Sequence, residues 1–231
     1  ILGNVEAEFD GEDDAAGCGC AYPEHLDAGI VERSNAIHAR LKTTARAFPE
    51  LIAQLAALPL FARYQVGEVR VGVVHGDADS LAGWGFDATA LEPGGAAANG
   101  EWLARCFTRA AVDVFASSHT CLPALRRVSS SGLVINNGAA GMPNFRGESA
   151  GLLTRISTQP SPHAPSYGEQ LNGVFVDALP IPYDPARWRA DFLANWPPGS
   201  AAWESYFQRI ALGPDYGVAQ ANLNPAALTS R

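Results

Sequence analysis

The chain has 231 residues, 47% of them apolar and 17% charged, with 23 Gly and 16 Pro. That composition fits one large globular domain, or a domain with an appendage, and excludes disordered, collagen-like and coiled-coil classes. The net charge is −8, but Glu6, Glu8, Asp10, Glu12, Asp13 and Asp14 crowd the first 14 residues without a Lys or Arg; the other 18 acids and 16 bases nearly cancel, so nucleic acid is not an expected partner.

In chain order, residues 24–41 repeat Leu26, Ile30, Ile37 and Leu41 at helical spacing, and after a break near Thr43 and Thr44 the run Leu51, Ile52, Leu55 and Leu58 predicts a second helix stopped by Pro59. Residues 66–75 alternate as a Val-rich strand that ends in the polar tip His75-Gly76-Asp77. A helix is predicted over 101–111, capped by Asn99, then strands over 112–116, 133–135, 151–158 and 173–179, the last two joined by a loop through 163–167. Beyond Pro180 the pattern turns to aromatic helices, one capped by Asp184 and one by Ser200, whose Trp and Phe stripes predict packing against the main body. The expected organisation is a domain over 1–180 and a helical extension over 181–231. Cys18, Cys20, Cys106 and Cys121 are too few and too unevenly spaced for a disulfide scaffold and are expected as free thiols.

No apolar run approaches the ~20 residues that span a bilayer. No basic and then apolar leader opens the chain, which makes a cytoplasmic location the default expectation, and Ile1 in place of Met implies that residues upstream were removed.

Three polar tips stand out: Gly3-Asn4-Val5-Glu6, Val74-His75-Gly76-Asp77 and Ser118-His119-Thr120-Cys121. Functional groups gather in loops at strand ends, where a rigid sheet positions them, so these tips are expected to converge. Neutral imidazoles of His75 and His119 with the amide oxygen of Asn4 form a mixed N and O ligand set suited to Mn, Fe, Co or Zn, to which Cys121 could add a thiolate. Each residue taken singly is as readily a hydrogen-bonded loop residue.

In that order, and with Asn136-Asn137-Gly138-Ala139 after the next strand, the tips resemble motifs of the calcineurin-like metallophosphoesterase superfamily over residues 1–158, most specifically from Phe115 to Arg126 and from Leu133 to Ala139. The resemblance implies an α+β fold, a four-layer αββα sandwich of two mixed β-sheets. It also implies hydrolysis of a small phosphorylated substrate by metal-activated water, with two ions in the complete protein. Asn4, His75 and His119 fall where the family places most of its second metal's ligands, and Cys121 stands where a histidine of the first metal is expected. The family's first two motifs would lie upstream of Ile1, and Val5 replaces its Gly-Asn-His histidine, so the resemblance also admits a catalytically impaired scaffold that binds a ligand or partner. Arg126, Arg146 and Asn137 are candidates for substrate binding, the two guanidiniums because they suit bidentate phosphate recognition.

Overall fold

The computed structural model describes residues 1–11, 17–97, 100–130 and 132–224. The first long helix, α2 (Ala28–Ala45), follows a four-residue turn of helix, α1 (Asn4–Ala7), and starts where the Asp27 carboxylate accepts the amide of Gly29. It runs through Thr43 and Thr44 instead of breaking there, because their hydroxyls fold back onto the carbonyls of Ala39 (2.9 Å) and Arg40 (3.2 Å) and remain compatible with the helix. Helix α3 (Pro49–Ala56) follows, with Pro in its first turn, where the missing N–H costs nothing.

The predicted strand over 66–75 is the second arm of a hairpin. Strand β1 (Phe61–Val66) turns through Gly67, whose φ is +54°, into β2 (Val69–Val74). Nothing marked β1 in the sequence because it is an edge strand, mostly exposed on both faces, and so lacks a buried alternation. Helices α4 (Ala88–Leu91) and α5 (Glu101–Ala110) then carry the chain to β3 (Val114–Ser117), which lies parallel to β2. A parallel pair needs such a crossover. Gly100 holds the N-cap position of α5 at φ +80°, and the Asn99 cap expected there lies outside the described residues, as do Glu12, Asp13 and Asp14.

Strand β4 (Pro123–Ser129) pairs antiparallel with β5 (Gly132–Asn137), and β5 runs parallel to β3, giving a five-stranded mixed sheet in the order β1-β2-β3-β5-β4. Strands β6 (Ala150–Ser157), β7 (Tyr167–Leu171) and β8 (Val174–Pro182) make a second sheet in the order β6-β8-β7. This sheet is antiparallel throughout rather than mixed, since a two-residue turn, Asn172-Gly173 with φ of +48° and +74°, joins β7 directly to β8. Two successive positive φ values suit the right-handed twist of a tight hairpin.

The central strands β3 and β5 are buried on both faces, as expected of parallel strands covered on either side. On one side Phe115 packs against Phe86 and Phe107, and a single core joins these residues to Leu152, Tyr167, Val174 and Val176 of the second sheet. At the start of the strands, Arg70 donates from its amide, Nε and Nη2 to the Asp113 carboxylate (2.9, 2.9 and 2.7 Å), locking β2 to β3. That guanidinium holds the Asp113 carboxyl below its ordinary value.

Helices α6 (Pro185–Asn195) and α7 (Ala201–Leu212) are capped by Asp184 and Ser200. Their Trp188, Phe192, Trp203 and Phe207 form a second apolar cluster with Ile37 of α2 and Met142. A last turn, α8 (Val218–Ala221), leads to Leu223, whose amide donates to Leu125 of β4. Among the described residues no helix is long and apolar enough to cross a membrane, and the four cysteines are unbridged.

Candidate metal centre

Strands β2 and β3 end side by side, and their next residues deliver the two histidines. The carbonyl of His75 accepts the amides of Ser118 (3.1 Å) and His119 (2.9 Å), which pins one strand-end loop on the other. Gly76 is required in the first loop, since a Cβ there would lie 2.5 Å from backbone atoms of Leu81 and Gly83. The second loop is tied to the next strand by Asn136, buried at 1% exposure, which donates to Thr120 Oγ1 (2.8 Å) and to the carbonyl of Phe86 (3.1 Å).

Asn4 arrives from the other side on the single turn of α1. The segment is held by Leu2, which donates to the Pro59 carbonyl (3.0 Å), and by His38 of α2, whose Nε2 lies 3.3 Å from the Val5 carbonyl. Its amide nitrogen donates to the Cys18 carbonyl (2.9 Å) and to Cys20 Sγ (3.3 Å), which turns Oδ1 toward the histidines. Asn4 Oδ1 lies 2.7 Å from His75 Nε2 and 3.1 Å from His119 Nδ1, and the two ring nitrogens are 3.2 Å apart.

The hydrogens available to this triangle can be counted. The Cys20 carbonyl, an acceptor only, lies 3.3 Å from His119 Nε2, so the proton of neutral His119 sits on Nε2 and Nδ1 presents a lone pair. The Asn4 oxygen also presents lone pairs. Among the described residues, at most one hydrogen, on His75 Nε2, serves these three close atoms. Burial, with the charge of His119 second, lowers His75 to about 4, and burial lowers His119 as well, so both rings are neutral at pH 7.

Neutral imidazoles and an amide oxygen gathered in this way fit a divalent transition metal: bonds of ~2.0–2.2 Å place neighbouring donors about 3 Å apart around one ion. The fit rests on an amide and two imidazoles. Among the described residues no group of three or more His, Cys, Asp or Glu side chains is placed to hold a metal.

The other sequence-derived candidates do not join the triangle. The exposed Cys121, at φ +60°, directs its thiol to the His119 carbonyl (3.4 Å), while its own carbonyl accepts from Arg209 (2.7 Å). Arg126 donates to the Leu91 carbonyl, and Arg146 forms a solvent-exposed ion pair with Asp215. Asn137 donates to the Leu152 carbonyl (3.0 Å), linking the two sheets, and with His75 and Ser118 it lines a cavity of about 440 Å³. Ser117 Oγ and Thr154 Oγ1 in that lining are buried with no hydrogen-bond partner among the described residues.

Sequence reasoning missed the groups that orient the triangle. The carbonyls of Cys18 and Cys20 fix the Asn4 amide and the His119 tautomer, and Trp84 Nε1 donates to the same Cys20 carbonyl (3.1 Å) while its ring stands edge-on to His119 at 5.4 Å. Backbone carbonyls leave no trace in residue identity; Gly17 and Gly19 beside the cysteines marked only a loop.

No protein-family model matches the chain, and no curated protein matches it. Among solved structures, its fold is similar to that of a hypothetical protein from Pyrococcus horikoshii OT3, with a TM-score of 0.58, 14% identity, and coverage of 94% of this chain and 73% of that one. It is also similar to a metallophosphoesterase from Sphaerobacter thermophilus, with a TM-score of 0.51, 18% identity, and coverage of 93% and 76%. The two sheets with flanking helices are thus a metallophosphoesterase-like fold.

Proposed function

We propose that the chain is a divergent metal-dependent phosphoesterase of the calcineurin-like superfamily, with its two sheets and outer helices forming four layers, and that it acts on a phosphate ester. The observation that carries this reading is the Asn4, His75 and His119 triangle, three lone-pair-bearing atoms within 2.7–3.2 Å of one another and served by at most one hydrogen. A divalent Mn, Fe, Co or Zn ion held there supplies Lewis acidity toward phosphoryl oxygens and strengthens water as a nucleophile. The chain's own residues do the positioning. Asn4 presents its oxygen because Cys18 holds its nitrogen; His119 presents Nδ1 because Cys20 holds Nε2; His75 closes the set from the end of β2.

Calorimetric titration with Mn or Co tests the reading. The wild-type chain should bind one equivalent, and His75→Ala or His119→Ala should weaken binding by on the order of a hundredfold or more, since loss of a ligand should exceed the 10–100-fold typical of losing its outer partner. Slow, metal-dependent hydrolysis of bis(4-nitrophenyl) phosphate should disappear with the same substitutions. Metal binding that survives both would overturn the proposal.

A further inference from the structure

Behind Trp84 lies a cavity of about 770 Å³, bounded by the Pro23 to Leu26 turn, the loop after His75, and Trp102 of α5. Its size is that of a small-molecule site. Its walls are aromatic and aliphatic, with Trp84, Trp102, Leu26 and Ala90 among them. Trp84 is common to both sites: it lines the cavity, meets the His119 ring edge-on, and donates to the Cys20 carbonyl that also receives His119.

The charge of the lining is one-sided. Asp77, Asp79 and Asp87 contribute three carboxylates against the single imidazole of His25, and among the described lining residues there is no Lys or Arg. Asp79 is paired with Arg109 and accepts from Trp102 Nε1 (2.8 Å). Asp77 instead accepts the amides of Asp79, Ser80 and Gly85 (2.9, 3.0 and 2.9 Å), and Asp87 accepts that of Thr89 (2.8 Å), so neither hydrogen bond brings a compensating full charge. Such a cavity repels a phosphate and offers two indoles to a ring, whose faces also favour cations.

We propose that this cavity receives the organic part of the phosphate ester, and that this part is an aromatic or similarly flat group, neutral or cationic but not anionic. The inference rests on the phosphoesterase reading for the word ester, while the preference for the ring stands on the cavity itself. It divides the substrate by chemistry: the phosphoryl group belongs at the Asn4, His75 and His119 side of Trp84, the ring on the other.

The experiment titrates the full chain, with EDTA and separately with Mn, using benzyl alcohol, phenyltrimethylammonium and benzoate as probes of similar size. Tryptophan fluorescence and saturation-transfer NMR report binding. Benzyl alcohol and phenyltrimethylammonium should bind saturably and benzoate at least tenfold more weakly. Leu26→Trp, which fills the cavity, should weaken the first two at least tenfold without changing Mn affinity; if its circular dichroism shows misfolding, Ala90→Trp takes its place. The proposal is overturned if benzoate binds as well as benzyl alcohol, if no probe saturates, or if a folded filling variant leaves binding unchanged. A chain that binds the rings but no metal refutes the phosphoesterase reading and leaves the ring site standing; a chain that binds metal but no ring refutes this proposal alone.

Discussion

The two halves of the candidate metal centre are held by different physics. His75 and His119 extend from neighbouring parallel strands whose register, Val71 beside Val114 and Val73 beside Ala116, brings their ends level, and the Arg70–Asp113 clamp fixes that register from the far end. Asn4 sits on one turn of helix with no strand behind it, and its orientation depends on a few hydrogen bonds to the loop at residues 17–20 and on contacts with Pro59 and His38. Cooperative ladders and a buried core protect the first half. The second depends on local contacts that can be removed one at a time, which makes it the more separable from folding.

Substitutions on each side sharpen this contrast. The largest effect is expected from Phe115→Ala in β3, whose ring is fully buried against Phe86 and Phe107. Loss of transfer energy and the cavity left behind should cost about 3–5 kcal/mol, read as a shift of the denaturation midpoint at unchanged slope. Metal affinity of the fraction still folded should change little.

Trp84→Phe reverses the pattern. It keeps most of the ring but deletes the indole donor to the Cys20 carbonyl, leaving that carbonyl to His119 alone. Losing such an outer partner should weaken Mn binding by about tenfold, at the lower end of the usual range, with little change in thermal stability. Equal losses of stability in the Phe115 and Trp84 variants would erase the distinction between the two halves.

The smallest effect is expected at the clamp. Asp113→Asn keeps an acceptor for the Arg70 amide but removes the charge, and should lower Tm by about a few degrees near neutral pH. The sign of its pH dependence follows from the depressed carboxyl: its stabilisation is fully present above the unfolded value of about 3.9 and is lost as pH falls through the lower folded value. The gap between wild type and variant should therefore close under acid, in thermal melts recorded between neutral pH and below 3.9. A gap that widened on acidification would exclude the clamp as its source.

Periodicity and capping were legible from the residues alone. The Val-rich run before His75, the strands before His119 and Asn136, and the Asp184 and Ser200 caps appear where local pattern placed them. The turn Asn172-Gly173 and the strand before it, β7, were not read from the sequence, where the stretch between the two expected strands passed for a loop. Asn4, His75 and His119 stood out as polar residues at the tips of apolar segments. Tertiary structure alone decided that these three share one point, because residues 4, 75 and 119 meet only through sheet register and the fold of the chain before α2. It likewise directed the Cys121 thiol to a backbone carbonyl, paired Arg146 with Asp215, and made the carbonyls of Cys18 and Cys20 the groups that aim the site. Several of those outcomes depend on main-chain atoms, which every residue carries alike, and others on separations of up to 115 residues, which no local pattern encodes.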